Sequence, residues 1–456
     1  MAKVVGVDSS TQSVKIVLRD LETGELLQSI SKPHPDGTEV DPNHWWRALN
    51  DALSELTSPY DAIAIAGQQH GMVALGAKGE VIRDALLWND TRSDKAADSL
   101  NKEIPDIHKK TGSKLVAAFT AAKVRWLADN EADNAKRVSA IALPHDWLSW
   151  KLTGSNSISD LFTDRSDASG TGYFDSKKNT YLEDIFATAL KSKQRVVLPK
   201  IINPDGFGGK TSDGVPIAAG AGDNAGAALG LGAKVGDLII SLGTSGTAFA
   251  VSSTSTHDET GEVAGFADAT GNFLPLACTL NAAKVFAKIA EALGVSLEKF
   301  AELALSAPSG SQGLRLLPHF DGERTPNRPN ARGQFIGISH SNFTPANIAR
   351  SAIEGVIGGM VFAANAVQRQ GFKPERVLLI GGAARNPAVQ EVAAEMFATT
   401  IQLPPPGEYV ADGAARQAAW ALSGKLPNWQ LGEIKTISPK QSSSVAEDYL
   451  ELISNI

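Results

Sequence analysis

The chain of 456 residues has one cysteine, Cys278, which excludes an internal disulfide and any zinc site built on cysteines. Set in an apolar run, Cys278 reads as a core residue and not as a nucleophile. No run of about 18 apolar residues occurs, so no membrane span is expected. The N-terminus enters a strand almost at once, with no apolar h-region, so no secretion signal is read and the default location is the cytoplasm. The formal net charge of −7 lacks the basic surplus that nucleic acid or an anionic membrane surface would require. A Walker A loop, in which a glycine turn ending in Gly-Lys-Ser/Thr feeds a helix, is also missing. What remains, 43% hydrophobic and 20% charged, is the composition of an ordinary globular chain long enough for two or three domains.

Two segments carry one plan. Val4-Val5-Gly6-Val7-Asp8-Ser9-Ser10-Thr11-Gln12-Ser13-Val14-Lys15-Ile16-Val17-Leu18 is an apolar strand, a tight polar turn and a second strand. Leu238 to Val251 repeats it around Gly243-Thr244-Ser245-Gly246. Such turns offer hydroxyls and unpaired N–H groups on one concave surface, which suits an oligophosphate held between two similar domains. Only the first copy ends its strand on an acid, Asp8, where a carboxylate can hold Mg²⁺.

The order of elements agrees with a duplication. A third strand follows the turn Glu22-Thr23-Gly24-Glu25, then a helix opened by Asp41-Pro42, then a buried strand over 62–66. This β-β-β-α-β order is that of a ribonuclease-H-like domain. Residues 155–172, rich in Asp and Ser, read as a loop lining a cleft. Gly220 to Gly232 reads as a glycine loop opening a helix of very small residues, and a domain boundary is expected near 233–236. The second half predicts strands over 238–251, 262–267 and 273–280, helices over 282–293 and 296–306, and a long helix over 344–370. A buried strand then feeds Gly381-Gly382, an Ala-rich helix opens at Asp412, and an amphipathic helix spans 445–454.

Each candidate for chemistry has a plainer alternative. Asp223, in a glycine loop at a helix start, suits a general base near phosphates but could equally be a simple cap. Asp8 could be a turn residue, and Thr11, Ser13 and Lys15 could merely decorate a hairpin. His70, flanked by Gln68, Gln69 and two glycines, reads as polyol recognition or as a structural histidine. Trp88, ahead of Asn89-Asp90, is either core or the aromatic wall of a sugar site. Gly381-Gly382 either makes a turn or lets a nucleotide lie against the backbone.

Taken together, these segments resemble the FGGY carbohydrate kinases of the actin-like ATPase superfamily along nearly the whole chain. The resemblance rests on Asp8 to Lys15, Gly222-Asp223-Asn224, Ser241 to Gly246 and Gly381-Gly382-Ala383, in the family's order. It implies an α/β fold of two ribonuclease-H-like domains flanking a central cleft. Residues 1–233 would form the sugar- and phosphate-binding domain, and 234–456 the nucleotide-binding domain. Asp223 would be the general base, with Asp8 and Asp223 at Mg²⁺. Thr11, Ser13 and Lys15 would contact the phosphates of ATP from the first domain, and Gly243 and Thr244 from the second. Gly382 and Asn386 would lie against the adenosine, and Gln69, His70, Trp88, Asp223 and Asn224 would line the sugar pocket. The segments 65–71, 87–92 and 322–326 resemble the family's ketopentose kinases. Glycerol kinases carry Arg-Glu where Gln69-His70 stands, and ketopentose kinases commonly Met-His, so Gln69 is a departure. Asp-Ser-Ser-Thr-Gln-Ser likewise replaces the commoner Asp-x-Gly-Thr-Ser-Gly. The implied reaction takes ATP and D-xylulose to ADP and D-xylulose 5-phosphate. The alternatives are another ketose or polyol (ribulose, glycerol, gluconate) or, in a different class, a nucleotide-hydrolysing scaffold of the same fold. The resemblance also implies a homodimer.

Overall fold

The computed structural model describes residues 1–439 and 444–455. Strands β1 (Lys3–Ser9), β2 (Ser13–Asp20) and β3 (Leu26–Pro33) pair antiparallel, and β4 (Ala62–Gly67) runs parallel to β1. Between them lies α1 (Asn43–Ser54), where Asp41 Oδ1 accepts the Asn43 N–H at 3.0 Å. Three further strands, β5 (Phe207–Lys210), β6 (Pro216–Ala218) and β7 (Ala221–Gly222), complete a seven-stranded sheet. A Gly-Lys-Thr triplet does occur at 209–211, but it ends β5 in a hairpin and feeds no helix.

The second half builds the same order. Strands β8 (Asp237–Leu242), β9 (Gly246–Ala250) and β11 (Phe273–Thr279) pair antiparallel, with β10 (Ala264–Ala267) at the edge beyond β11. On the other side, β12 (Arg376–Ile380) and β13 (Ile401–Leu403) run parallel, and β14 (Lys435–Ile437) closes the edge. Helices α5 (Ala283–Leu293), α6 (Leu297–Ser306), α7 (Pro345–Arg369) and α10 (Val445–Ser454) fall where the sequence predicts them, and α8 (Pro387–Met396) follows β12.

Strand alternation assigns the faces. Val5, Val7, Ile63 and Ile65 enter an outer core with Trp45 and with Trp147 of α2 (Pro144–Leu152). Leu238, Ile240 and Leu242 enter another with Ile353 and Ile357 of α7. The opposite faces, with Val4, Ala62 and Ala64 on one sheet and Ile239 and Leu378 on the other, share a single central core. Two helices run through that core: α4 (Asp223–Gly230) and α9 (Tyr409–Ser423). Although α9 comes late in the chain, it packs on β1: the Gly6 Cα faces Ala411 and Ala415, and a Cβ there would lie 1.9 Å from the Ala411 carbonyl oxygen. Among the described residues, no helix is long and apolar enough to cross a membrane.

The expectation of a cleft-lining loop over 155–172 is corrected. Phe162–Asp164 is a strand and Arg165–Ser169 is a helix, α3, with every residue from 161 to 176 buried. Asp164 caps α3, accepting the Ser166 and Asp167 N–H groups at 2.7 and 2.9 Å. Arg165 and Ser169 cross to the second half. Arg165 reaches Asp268 at 3.3 Å, and Ser169 Oγ accepts the Ala267 N–H at 2.9 Å. Polar side chains that satisfy one another can be buried as a structured element, so composition alone misleads here.

Candidate active site

Both polar turns open on one cleft of about 1450 Å³ between the sheets. In the first turn, the Ser10 N–H donates to the Ser13 carbonyl at 3.0 Å. None of residues 9 to 13 has a positive φ, so serine fits where the commoner pattern has glycine. Asp8, at the end of β1, accepts the Ser10 hydroxyl at 2.5 Å. Burial pushes its carboxyl up to about 7, opposed by the Ser10 hydrogen bond and the Lys15 charge and aided by the Asp223 charge.

Asp223 is the first residue of α4, set there by the parallel pairing of Ala221 and Gly222 with Ala66 and Gly67. Its Oδ1 accepts the Asn224 N–H at 2.7 Å and the Asn224 side-chain amide at 2.8 Å. Burial pushes Asp223 up to about 6 against those two bonds. Two elevated carboxyls within range of each other form a hard-oxygen donor pair that fits a divalent cation.

Across the cleft, Gly243, Thr244 and Ser245 present the second turn, with the Gly243 N–H bonded to the Ser245 carbonyl at 3.1 Å. Beside it Gly381 has φ +95°, and a Cβ there would lie 2.5 Å from the Leu242 carbonyl oxygen. The chain can therefore leave β12 in this direction only at a glycine. Gly382, by contrast, has nothing within 4 Å of the position a Cβ would take and leaves bare backbone on the cleft.

At the other end stand Gln69, His70 and Trp88. Gln69 Nε2–H donates to the Ser166 carbonyl at 2.8 Å. His70 has φ +70°, a left-handed conformation uncommon outside glycine, and its Nδ1–H donates to the Gly170 carbonyl at 2.6 Å. Burial pushes His70 down to about 4, so the ring is neutral and Nε2 remains an acceptor. Phe119 and Phe266 flank it, with ring centroids 4.9 and 5.5 Å away. The Trp88 indole N–H donates to Thr11 Oγ1 at 2.9 Å, which fastens this wall to the first turn.

Of the residues proposed from sequence, Asp8, Lys15, Gln69, His70, Trp88, Asp223, Asn224, Gly243, Thr244 and Gly382 line the cleft. Thr11, Ser13 and Asn386 are not among the lining residues. The Thr11 hydroxyl oxygen accepts the Trp88 indole N–H, and the Asn386 side chain caps α8 by accepting the Ala388 N–H at 2.9 Å. The Lys15 ammonium is 2.6 Å from Glu408, which ties β2 to the segment leading into α9. Cys278 is corrected from core to lining: it is half-buried on the cleft face of β11, while its neighbour Ala277 enters the outer core. Arg324 also lines the cleft, and Glu323 beside it accepts the Leu280 N–H at 2.6 Å. Neither was singled out as a site residue, although both stand in the Gly322–Pro326 segment that carried part of the resemblance.

Two domain models describe the chain: the N-terminal domain of the FGGY family of carbohydrate kinases over residues 3–230, and its C-terminal domain over 238–422. The chain belongs to that family and is a carbohydrate kinase, acting on a sugar with ATP as phosphate donor. Among its relatives, a xylulose kinase of Streptomyces coelicolor is 42% identical over 92% of this chain and 88% of its own length. One from Streptomyces rubiginosus is 40% identical over 93% and 89%. The crystal structure of xylulose kinase from Bifidobacterium adolescentis superposes with a TM-score of 0.91 at 41% identity, covering 99% of both chains.

Proposed function

We propose that the chain transfers the γ-phosphoryl group of ATP to the terminal hydroxyl of D-xylulose, giving ADP and D-xylulose 5-phosphate. Residues 1–233 hold the sugar and 234–456 the nucleotide. The observation that carries the site assignment is the place of Asp223: a burial-raised carboxylate at a helix start, on the same cleft as the Gln69–His70 loop and the second phosphate turn. Its carboxylate takes the hydroxyl proton, the sugar oxygen bonds to the γ-phosphorus, and the bond to the β–γ bridging oxygen breaks to release ADP. The Thr244 and Ser245 N–H groups and hydroxyls in the second turn suit the phosphates, and the bare backbone at Gly382 suits the adenosine. Asp8 and Asp223 would hold Mg²⁺, which when bound neutralises charge on the phosphates. His70 Nε2 and the Asn224 amide would orient sugar hydroxyls.

The test is ADP release with Mg-ATP across D-xylulose, D- and L-ribulose, glycerol, gluconate and no sugar. Turnover led by D-xylulose is expected. A different preferred sugar would overturn the substrate, and sugar-independent hydrolysis would overturn the kinase reading in favour of a nucleotide-hydrolysing scaffold.

Two expectations follow for the sugar end and the base. His70→Ala should raise KM for the ketose about tenfold, the worth of one good hydrogen bond, and move KM for ATP less than about twofold. An unchanged ketose KM would return His70 to a structural role. The working form of Asp223 is the carboxylate, and protonation removes it. With its pKa raised to about 6, kcat/KM should be level at alkaline pH and fall toward about tenfold per unit below pH 6. A cation beside Asp8 draws the midpoint lower without changing the direction. A rate that rises on acidification would refute the base.

A further inference from the structure

Behind the sugar wall lies a buried charge that no step above uses. His145, on α2, has no exposed surface. Its Nδ1 is 2.7 Å from Asp167 Oδ2 and 3.0 Å from Asp146 Oδ1. Its Nε2 is 3.1 Å from the Ala219 carbonyl oxygen. Both ring nitrogens therefore face acceptors only, and the ring donates from both. Burial works against the charge, but the two carboxylates outweigh it and hold the imidazole well above its ordinary pKa.

The ring holds the segment that leads from β6 to Asp223. Ala219 lies four residues ahead of that acid. The next residue, Gly220, has φ +84°, and a Cβ there would lie 2.4 Å from the His145 ring. The ring thus fills the space a side chain would take. On its other flank, the Gly67 Cβ position is 3.1 Å from His145 Cβ, just before the Gln68–His70 loop begins. Asp167, the brace on Nδ1, belongs to α3. The same short helix takes the Gly222 N–H on Ser166 Oγ at 3.0 Å and the Gln69 amide on the Ser166 carbonyl.

We infer that His145 is a positioning residue for phosphoryl transfer: its Nε2–H···O=C bond to Ala219, braced by Asp167, fixes the Gly220–Asp223 segment against the Gln69–His70 sugar loop. The inference rests on Asp223 being the base. Near-attack geometry is steep, and a displacement of about 1 Å can cost about a hundredfold in rate. His145 touches neither substrate, so its effect falls on kcat and leaves nucleotide affinity alone.

Two near-isosteres separate positioning from packing. His145→Asn places an amide nitrogen where Nδ1 stands, keeping Asp167 and losing Ala219. His145→Gln reaches the Nε2 position, keeping Ala219. In the full-length enzyme, His145→Asn should lower kcat about thirtyfold or more, with KM for ATP within about twofold, while His145→Gln stays within about threefold of wild type. Rates are taken per folded molecule, measured by circular dichroism. Equal losses in the two variants, or no loss in His145→Asn, overturn the inference. Should neither variant fold, nitrogen-15 NMR of the wild-type His145 ring decides: a protonated Nε2 at pH 7.5 is required, and a bare Nε2 refutes the bond to Ala219. If Asp223 is not the base, Asp223→Asn keeps its turnover, and that failure shows independently of either His145 result.

Discussion

Asp223→Asn should lower kcat for the sugar by about three orders of magnitude while leaving ATP affinity within about threefold. Removal of a general base costs about 10²–10⁴ in rate. The substitution is close to isosteric. Its carbonyl oxygen can still accept the Asn224 N–H that Oδ1 accepts now at 2.7 Å, so the start of α4 keeps its cap-like contact. The helix and the Gly243–Ser245 turn are otherwise unchanged, which is why nucleotide should still bind. Single-turnover phosphorylation beside a fluorescent-nucleotide titration measures both quantities. Retained turnover would remove Asp223 from the chemistry. Lost nucleotide binding would make it a cation or architecture residue instead.

Gly413→Ala should cost about 3 kcal/mol of stability, the upper end of ordinary overpacking, because the obstruction is main chain. Helices α4 and α9 cross through glycines. A Cβ at Gly413 would lie 1.9 Å from the Gly226 carbonyl oxygen, and one at Gly230 1.9 Å from the Tyr409 carbonyl oxygen. Neither neighbour can rotate away, as the tip of a long side chain could. Gly359, in the middle of α7, supplies the control. Nothing lies within 4 Å of its Cβ position and its φ is ordinary, so Gly359→Ala should gain about 0.5–1 kcal/mol from helix propensity. Thermal melts of the two variants should move in opposite directions. Movement the same way would refute the steric account of the crossing.

Much of this frame can be read in the sequence because it is local. Alternating apolar runs around short polar turns specify the two hairpins, and Asp41-Pro42 or Asn386-Pro387 mark helix starts whatever the rest of the chain does. The cleft residues near those turns, Asp8, Gly243 and Asp223, were legible for the same reason. Long-range facts were not. The Asp- and Ser-rich stretch around Asp164 and Arg165 looks like a loop until its partners appear, because Arg165 finds its carboxylate at Asp268, in the other half. No local signal tells that Trp88, 77 positions away, donates to the Thr11 hydroxyl oxygen. Cys278 looks like core because β11 is apolar on both faces, and nothing local says which face opens on the cleft. His145 belongs to the same class: its place depends on Ala219 and Asp167, which no spacing connects to it.

The late arrival of α9 also sets an order of events. This helix supplies Ala411, Ala414, Ala415 and Ala418 to the core that β1 and β4 share. About 180 residues separate the end of α4 from its first turn. At synthesis rates of roughly 5–20 residues per second, a ribosome needs roughly 10 to 40 seconds to cover them. Throughout that interval the nascent first half exposes the inner face of its sheet, with Val4, Ala62 and Ala64 uncovered. A polypeptide severed at the inter-domain junction would remain in that condition. Translation therefore delivers the keystone of the first domain almost last, and the two halves complete their folding together.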